Sequence, residues 1–576
     1  MNKGIVYKVD EIKNFRELIE RTTKRYPQNV AYKFKNNILD KEPIYEEKTY
    51  SNVKEDVKKL GTALLNLGLE NKKVALISNN RYEWCISYLG VTTSNIVIVP
   101  LDKALPEKEI ESLIIRSEAE AVIFEDKYQE IFDKIKEKKE SKLKHYIIIG
   151  KTNEKDKVYF DNLLKNGEKL LDEGDKQYDN IKVDAEKMSI MLFTSGTTDK
   201  PKAVMLSQKN ICSNVTAIAQ HVKLYPEDTL LSFLPLHHTF ECTITFLYGF
   251  YFGVTVAFCD GLKYIAKNLE EYRVSVFVAV PLVLETIYKK ILKGIDDLGK
   301  TKLINKMIKV SNILLKFGID IRRKVFKSVI DKLGGNLRIA LFGAAPMDKD
   351  IIVGYNNFGI KTIQGYGLTE TSPVIATETD KDQRPGSIGY PLANLDVKIE
   401  DKDEYGVGEI VVKGPSVMIG YYNNEKETQK VLKDGWFSTG DLGYFDNDGF
   451  LYVTGRKKDL IVLKNGKNIY PQELEFLINK MSFVEESMVY AKKTEKGELL
   501  IGAKIVYNEE RIKEVLGEKT EEEYKRIIWE EIKKINQTIP NYKHIKEIKI
   551  TKEPLEKTTT QKVKRYEEMK KVEQLS

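Results

Sequence analysis

The sequence has little cysteine, no strong excess of charge of either sign and few long apolar runs. Four of its 576 residues are cysteines, and no two of them form a C-x-x-C pair. Widely separated cysteines in apolar surroundings indicate reduced core residues and exclude a fold held together by disulfides. The 93 basic and 86 acidic residues leave a net charge of +7. Over this length that excess is too weak to indicate a nucleic-acid-binding protein.

Signals for secretion and for membrane insertion are also weak. The first ten residues lack the apolar core of a signal peptide, so we expect a cytoplasmic protein. One uncharged run, residues 242–259, approaches the length of a membrane span but contains Thr243, Gly249 and Gly253. A buried helix over 243–252 followed by a buried strand over 254–258 explains this run better, with a membrane span as the alternative.

What the sequence does contain is a Thr-, Ser- and Gly-rich turn directly after a short apolar run. Residues 190–193 are apolar, and residues 194–202 follow with the sequence TSGTTDKPK. Small residues let several backbone N–H groups point at one anion, while hydroxyls and lysines add donors and charge. The segment therefore predicts a polyphosphate-binding loop, although the G-x-x-x-x-G-K-[ST] spacing of the common nucleotide loop is absent. A solvated Ser/Thr linker is the alternative.

The order of the predicted elements indicates an α/β protein with at least two domains. Short apolar strands alternate with helices from residue 73 to 124, and the alternation returns between 230 and 342. This order predicts a large N-terminal domain of parallel sheets covered by helices. Short strands after residue 388 predict a small antiparallel β piece, and the chain after Arg456 predicts a compact α+β unit. We place the domains at 1–455 and 456–576.

Residues 289–333 form a long helical stretch in which many lysines alternate with apolar residues. A surface excursion whose lysines are solvated is the favoured interpretation. The alternative is a patch that contacts an anionic membrane surface.

Six motifs occur in one order along nearly the whole chain. They are TSGTTDKPK at 194–202, LPLHH at 234–238, QGYGLTE at 364–370, STGD at 438–441, GRKKD at 455–459 and KTTTQK at 557–562. Together they make the chain resemble the adenylate-forming enzymes, which include acyl-CoA synthetases, luciferases and peptide-synthetase adenylation domains. The segments PLHHTFE at 235–241 and VPLVLETIY at 280–288, with the helical excursion, make it most similar to the long-chain fatty-acid CoA ligases.

This resemblance implies a two-step reaction with ATP, Mg²⁺ and coenzyme A. The carboxylate of a medium- to long-chain fatty acid would attack the α-phosphate of ATP, giving acyl-AMP and pyrophosphate. The coenzyme A sulfur would then displace AMP and form the thioester. The alternatives are transfer of the acyl group to a carrier protein, an aryl acid as substrate, and a nucleotide- or acyl-binding protein without catalysis. A homodimer and peripheral contact with the inner face of the membrane also stay open.

The resemblance also assigns nucleotide- and coenzyme-binding residues. The phosphates would be held by Thr194, Ser195, Gly196, Thr197, Thr198 and Lys202. The adenine side of the site would be lined by Gly343, Ala344, Ala345 and the glycine turn Gln364, Gly365, Tyr366 and Gly367. The ribose would be held by Asp441 and Arg456, and coenzyme A by the loop with Gly466 and Asn468.

The same resemblance names the catalytic groups. Thr369 would bond the α-phosphate, and His238 would lie at the carboxylate end of the acyl pocket. Thr197 and Glu370 would hold Mg²⁺, because hard oxygen ligands suit a hard cation. Lys562 would stabilise the charge that grows between carboxylate and α-phosphate, and Lys458 would be the hinge of a mobile C-terminal domain. The chain departs from the usual family glycines at Asp199, Ala203 and Gln561.

Overall fold

The chain folds into two compact units. The computed structural model describes residues 4–36, 43–150, 157–194, 201–463, 467–493, 499–557 and 563–574. The first unit contains residues 1–397, 412–437 and 446–451, and the second contains residues 398–411, 438–445 and 452–576. The chain thus passes for the last time from the first unit to the second between residues 451 and 452. The domain boundary at residue 455 stays a prediction.

Strands and helices alternate in the part of residues 4–194 that the structure describes. They are α1 (Phe15–Arg25), β1 (Val30–Asn36), β2 (Ile44–Thr49), α2 (Tyr50–Asn66), β3 (Lys73–Ile77), α3 (Tyr82–Thr92), β4 (Val97–Pro100), α4 (Glu107–Ser117), β5 (Ala121–Glu125), α5 (Gln129–Lys136), β6 (His145–Ile149), β7 (Val158–Tyr159), α6 (Phe160–Asp172), α7 (Gln177–Asn180) and β8 (Met188–Thr194).

The alternation continues through the rest of the two large sheets. The elements are β9 (Lys202–Ser207), α8 (Gln208–His221), β10 (Thr229–Ser232), α9 (Gly249–Phe252), β11 (Thr255–Phe258), α10 (Ile265–Glu271), β12 (Val276–Ala279), α11 (Pro281–Asp297), α12 (Thr301–Lys316), α13 (Arg322–Val325), α14 (Lys327–Asp331), β13 (Ile339–Phe342), α15 (Lys349–Asn357), β14 (Lys361–Gly367), β15 (Val374–Thr377) and β16 (Tyr390–Pro391).

Further strands and five helices follow in the described part of the C-terminal region. They are β17 (Asp396–Glu400), β18 (Gly408–Lys413), β19 (Gly420–Tyr421), α16 (Glu425–Val431), β20 (Leu432–Lys433), β21 (Trp436–Phe445), β22 (Leu451–Arg456), β23 (Ile461–Val462), β24 (Asn468–Ile469), α17 (Pro471–Ile478), β25 (Val484–Lys493), β26 (Leu499–Tyr507), α18 (Glu509–Leu516), α19 (Glu521–Gln537), β27 (Glu547–Thr551) and α20 (Arg565–Gln574).

The first unit is built on two mostly parallel sheets. One sheet has the order β19-β9-β8-β4-β3-β5-β6-β7, and the other has the order β16-β15-β14-β13-β12-β10-β11-β1-β2. In the second of these sheets the strands from β14 to β1 run parallel, and antiparallel strands pair at both edges. Central strands such as β12 and β13 are buried along their whole length, which explains their unbroken apolar sequences. The predicted α/β fold class is confirmed.

The uncharged run at 242–259 is not one regular helix. A π-helical segment, Glu241–Tyr248, leads directly into α9, and Gly253 turns the chain into the buried strand β11. The predicted order of buried helix and buried strand is therefore present, with a π-helix in the first part. Within the described ranges, no helix is both long enough and apolar enough to cross a membrane.

The second unit has its own apolar core. Strand β25 pairs antiparallel with β26, and β27 joins β26 in parallel. Helices α17 and α19 cover these strands, and the core includes Ile478, Val489, Ile505 and Ile528, each at most 1% exposed. Strands β17, β18, β21 and β22 form a separate sheet, in which β21 pairs with β18 and with β22.

Candidate active site

The predicted phosphate loop begins and ends on two paired strands. Thr194 ends β8 and lies opposite Lys202, the first residue of β9, in an antiparallel register. The Thr194 hydroxyl also donates a 3.4 Å hydrogen bond to the Lys202 carbonyl. The two ends of the segment, residues 194 and 202, therefore lie side by side. Four of its predicted phosphate ligands lie outside the described residues: Ser195, Gly196, Thr197 and Thr198.

Lys202 is held by two residues that no sequence motif indicated. Its Nζ lies 2.7 Å from Oε2 of Glu427 on α16 and 4.9 Å from the centre of the Tyr421 ring. The hydrogen bond from Lys202, followed by that from Lys430, lowers the pKa of Glu427 to about 2. Glu427 therefore stays charged at neutral pH and competes with any anion for Lys202.

Tyr421 also contacts Glu370, so it bridges two predicted site residues. Its hydroxyl donates a 3.0 Å hydrogen bond to Oε1 of Glu370. Burial and the neighbouring Glu370 carboxylate raise the pKa of this phenol well above its usual value. Glu370 lies on the short 3₁₀ turn Thr369–Thr371, and its carbonyl accepts a 2.8 Å hydrogen bond from the Met418 backbone N–H. The structure thus joins Lys202, Tyr421 and Glu370 in one cluster.

The two predicted adenine-side segments lie side by side. Strands β13 and β14 are parallel, with Phe342 opposite Gln364, so Gly343 and Gly365 lie at the same end of the two strands. A Cβ on Gly343 would lie only 2.9 Å from the Gly365 carbonyl, so this approach requires glycine. Ala344 has a φ of 70°, and both Ala344 and Ala345 are exposed.

Gly365, Tyr366 and Gly367 do not form the free turn that their glycines predict. They are the end of β14 and pair with β15. A Cβ on Gly367 would lie 1.8 Å from the Pro373 carbonyl, so the second glycine is required by strand packing. The half-buried Tyr366 ring is consequently carried by a strand end beside Gly343.

Gln364 is fixed by the buried carboxylate of Glu378, which no sequence motif marks. Its backbone N–H donates a 2.9 Å hydrogen bond to Oε2 of Glu378, and the Arg384 backbone N–H donates to Oε1 at 2.7 Å. Burial outweighs these two hydrogen bonds and raises the pKa of Glu378 to about 7.

His238 lies in the turn that follows β10, beside His237. The two rings are 4.5 Å apart, and Nε2 of His237 lies 3.7 Å from Oδ2 of Asp102. Burial lowers the pKa of His237 well below its usual value, so His237 is neutral at pH 7. This contact accounts for His237, for which the sequence offered no role. Among the described residues, no cluster of three or more His, Cys, Asp or Glu could hold a metal ion.

The π-helical segment begins at a buried acid. Glu241 accepts hydrogen bonds of 2.7 Å from Ser232 and 2.8 Å from Thr245, and burial raises its pKa to about 8. A small apolar cavity of about 10 Å³ lies nearby, lined by Tyr88, Pro100, Ile190, Leu192, Ile211, Leu236, His237, Thr239, Cys242 and Thr243. This volume suits about one water molecule, so an acyl chain could enter only if the lining side chains moved.

In the second unit, Asp441 and Arg456 form an ion pair. Nε of Arg456, at the end of β22, lies 2.8 Å from Oδ1 of Asp441 on β21, and the Asp441 carboxylate is buried. The structure therefore brings the two predicted ribose residues together. In the following 3₁₀ turn, Lys457 pairs with Glu409 at 2.6 Å.

The predicted hinge and the segment after Lys562 meet through Arg565. Lys458 lies in the turn Lys457–Asp459, where burial lowers its pKa. Arg565 reaches Asp459 in the same turn at 3.4 Å and donates two 2.6 Å hydrogen bonds to Glu475. Lys562 itself lies outside the described residues.

The predicted coenzyme loop is described only in part. Asn468 begins β24, and its side-chain amide lies 3.4 Å from Oδ2 of Asp403. The Tyr470 hydroxyl donates to the same oxygen at 3.1 Å. Gly466 lies outside the described residues.

Comparison with known proteins gives matches over most of the chain. Residues 19–422 match the family described as AMP-binding enzyme, and residues 458–575 match the AMP-binding enzyme C-terminal domain. Long chain acyl-CoA synthetase 4 of Arabidopsis thaliana is 30% identical over 520 residues, which cover 83% of this chain and 76% of the relative. A long-chain-fatty-acid–[acyl-carrier-protein] ligase, AEE15 of the same plant, is 27% identical over 84% of this chain and 76% of its own.

The fold itself is shared with solved structures. The crystal structure of the anthranilate CoA ligase AuaEII in complex with anthranoyl-AMP superposes with a TM-score of 0.77. The alignment covers 98% of both chains at 18% sequence identity.

Proposed function

The chain belongs to the AMP-binding enzyme family, and from that membership we propose that it activates a fatty acid with ATP and transfers the acyl group to coenzyme A. The cluster of Lys202, Tyr421 and Glu370 is the observation that carries the proposal. It sets a cation and a carboxylate beside the ends of the Thr/Gly-rich segment 194–202. The curated relatives named above support a fatty acid as the substrate class.

In the proposed first step the fatty-acid carboxylate attacks the α-phosphorus of ATP. A P–O bond to the carboxylate forms while the bond to pyrophosphate breaks. Two anions must approach one another, so fixed positive charge is the main requirement. Lys202 would exchange Glu427 for phosphate oxygens, and Lys562 would stabilise the reacting oxygens.

Glu370 has the chemistry of a magnesium ligand. Its Oε1 accepts the Tyr421 hydrogen bond, which fixes the carboxylate and leaves Oε2 for a cation. Together with the hydroxyl of Thr197 it would hold Mg²⁺, whose contribution would be to neutralise phosphate charge.

In the proposed second step the coenzyme A thiolate attacks the acyl carbonyl carbon. The bond to AMP breaks and the thioester forms. The coenzyme A thiol has released its proton to solvent before this attack. We propose that this step follows a rotation of the C-terminal domain about Lys458, since few residues need to absorb such a motion.

We further propose that the helices α11 and α12 rest on an anionic membrane surface, where long-chain acids reside. Phe317 is 77% exposed and Leu298 is 62% exposed. Further exposed apolar side chains on this segment are Leu292, Leu303, Val310, Ile313, Leu315 and Ile319. Lysines lie among them at positions 290, 293, 300, 302, 306, 309 and 316. Exposed apolar side chains among cations suit an interface of acyl chains and anionic headgroups.

The reaction is tested by pyrophosphate release with octanoate, laurate, palmitate and anthranilate, each with and without coenzyme A. We expect AMP and pyrophosphate with the fatty acids and thioester only when coenzyme A is present. If the acyl group were transferred to an acyl carrier protein and not to coenzyme A, the carrier protein would be the acyl acceptor. Activity with anthranilate alone would correct the substrate class, and no AMP with any acid would refute the proposal.

A further inference from the structure

A basic cavity lies at the amino ends of the central strands of the nine-stranded sheet. Its volume is about 270 Å³, and it is lined by Tyr7, Tyr225, Asp320, Arg322, Arg323, Arg338, Ile339, Asn356, Gly359, Ile360, Lys361, Asp380 and Lys381. This is slightly smaller than a pocket for a drug-sized ligand. It therefore suits a small ligand.

This cavity is separate from the candidate active site. Arg338 precedes β13 and Gly343 follows it, while Lys361 begins β14 and Gly367 ends it. A four-residue strand spans about 13 Å. The basic residues and the adenine-side segments therefore lie at opposite ends of the same two strands.

Two of the three arginines are neutralised by carboxylates. Arg322 donates two hydrogen bonds to Asp320, of 2.9 Å from Nε and 2.7 Å from its second guanidinium nitrogen. Arg338 makes the same two-pronged contact with Asp228, in which the Nε bond is 2.8 Å. These two pairs fix the cavity wall and contribute little net charge.

Arg323 is held differently. It donates hydrogen bonds to three backbone carbonyls, those of Leu337 at 2.6 Å and of Gly335 and Gly359 at 3.4 Å each. Within the described residues it makes no ion pair, and burial together with the charge of Arg338 lowers its pKa. A fixed guanidinium beside another cation favours a nearby anion.

The rim adds two further cations. Lys361 donates a 2.8 Å hydrogen bond to the Asp380 carbonyl rather than to its carboxylate, and Lys381 is exposed. The Asp380 carboxylate accepts a 2.7 Å hydrogen bond from the Tyr7 hydroxyl. Arg323, Lys361 and Lys381 therefore leave an excess of positive charge over the single unpaired carboxylate of Asp380.

We propose that this cavity is a second anion site, which binds a small phosphate anion, either inorganic phosphate or pyrophosphate. Arg323 and Lys361 would donate to its oxygens, and Lys381 would add charge from the rim. Planar guanidinium and flexible ammonium groups both suit phosphate oxygens. The site does not depend on the proposed reaction, because the binding is measured without acid, ATP or coenzyme A.

The test is isothermal titration calorimetry of the full chain with phosphate, pyrophosphate and succinate. The double variant Lys361→Gln/Lys381→Gln removes two rim charges and leaves the buried arginines in place. Its control, Lys263→Gln/Lys267→Gln, removes the same charge from an exposed stretch before β12. Lys202→Gln distinguishes binding in this cavity from binding at the predicted phosphate loop.

We expect saturable phosphate binding that weakens at least tenfold in the Lys361→Gln/Lys381→Gln variant and is unchanged in the Lys263→Gln/Lys267→Gln control. Arg323→Gln should abolish it, provided that thermal unfolding shows the variant to be folded. Absence of saturable phosphate binding, equal losses in the control, or loss in Lys202→Gln alone would each overturn the site. Equally tight binding of succinate would overturn the assignment to phosphate.

Discussion

The Tyr421 hydroxyl donates a 3.0 Å hydrogen bond to Oε1 of Glu370, across 51 positions of sequence. The same phenol ring lies under the ammonium group of Lys202. Tyr421 thus sets the distance between a phosphate-loop cation and the carboxylate proposed to hold Mg²⁺, although it carries no charge itself.

Tyr421→Phe should lower the rate of pyrophosphate release about 10- to 100-fold, because a hydrogen bond to a charged group contributes about 1.5–3 kcal/mol. The variant keeps the ring under Lys202, so the loss should appear mainly as a higher magnesium requirement. Tyr422→Phe is the matched control, since its hydroxyl contacts Glu118 instead. Equal effects of the two substitutions would exclude a specific role for Tyr421.

Lys202→Gln should weaken ATP binding about tenfold or more, because it removes a charge-assisted contact to phosphate. Glu427→Gln should instead tighten ATP binding, since it removes the carboxylate that competes for Lys202. Nucleotide affinity can be measured by titration with ATP in the absence of acid. Lys209→Gln, which breaks the exposed ion pair with Glu186, is the control and should leave the affinity for ATP unchanged. Weaker ATP binding by Glu427→Gln would show that Glu427 positions Lys202 rather than competing for it.

Lys562→Ala should reduce acyl-AMP formation by about a thousandfold, the upper range for loss of one charge-stabilising donor. Thioester formation from supplied acyl-AMP should survive. The two half-reactions are measured separately, with Lys564→Ala as a control in the same segment. If both half-reactions fell together, Lys562 would not act in the first step alone.

The contribution of Glu241 to the stability of the protein should fall as the pH rises from about 5 to about 8. The folded-state pKa of Glu241 is raised from 4.5 to about 8 by burial, so the folded chain retains a proton that the unfolded chain releases. The stability that Glu241 contributes is fully present below pH 4.5 and is lost as the pH rises through the folded-state pKa. The free energy of unfolding falls by up to about 1.4 kcal/mol per pH unit in this range.

Glu241→Gln should flatten this dependence in calorimetric unfolding curves. The exposed Glu270→Gln is the control and should leave the dependence unchanged. Glu378, with a pKa raised to about 7, should contribute a slope of the same sign, and His237, whose pKa burial lowers, a slope of the opposite sign. An identical pH profile for Glu241→Gln and the unaltered chain would contradict the assignment.

Ile313→Glu/Phe317→Glu should reduce co-sedimentation with vesicles that contain phosphatidylserine by about tenfold. Both side chains are exposed on or next to α12, and charge at these positions opposes insertion among acyl chains. Binding of the unaltered chain should weaken with salt, since its lysines are solvent-exposed. Val515→Glu/Tyr405→Glu, two exposed positions in the second unit, is the control. If both variants sedimented equally with the vesicles, helices α11 and α12 would not be the membrane-binding surface.

Much of the fold and part of the site could be predicted because their signals are local. The glycines at 343 and 365 mark strand ends, and their close approach follows from the parallel pairing of β13 with β14. The ends of the phosphate loop, Thr194 and Lys202, were identified from one contiguous motif and lie on paired strands.

The site residues that no sequence motif indicated are brought to the site by contacts between distant parts of the chain. Glu427 lies 225 positions from Lys202, and a glutamate in a charged stretch gives no sign of such a partner. The same holds for His237 and Asp102, which only the packed structure brings to 3.7 Å. The turn predicted at Gly365–Gly367 proved to be a strand end, in which the Pro373 backbone leaves no room for a Cβ on Gly367, and no local pattern reveals this contact.

The second unit is assembled from three stretches of chain, 398–411, 438–445 and 452–576. A fragment that starts at residue 456 would therefore lack the strand that carries Asp441, and Arg456 would lose its carboxylate partner. Proteolysis between residues 452 and 460 would likewise leave two of these three stretches attached to the N-terminal product. Studies of the isolated C-terminal region would need those strands restored by fusion or circular permutation.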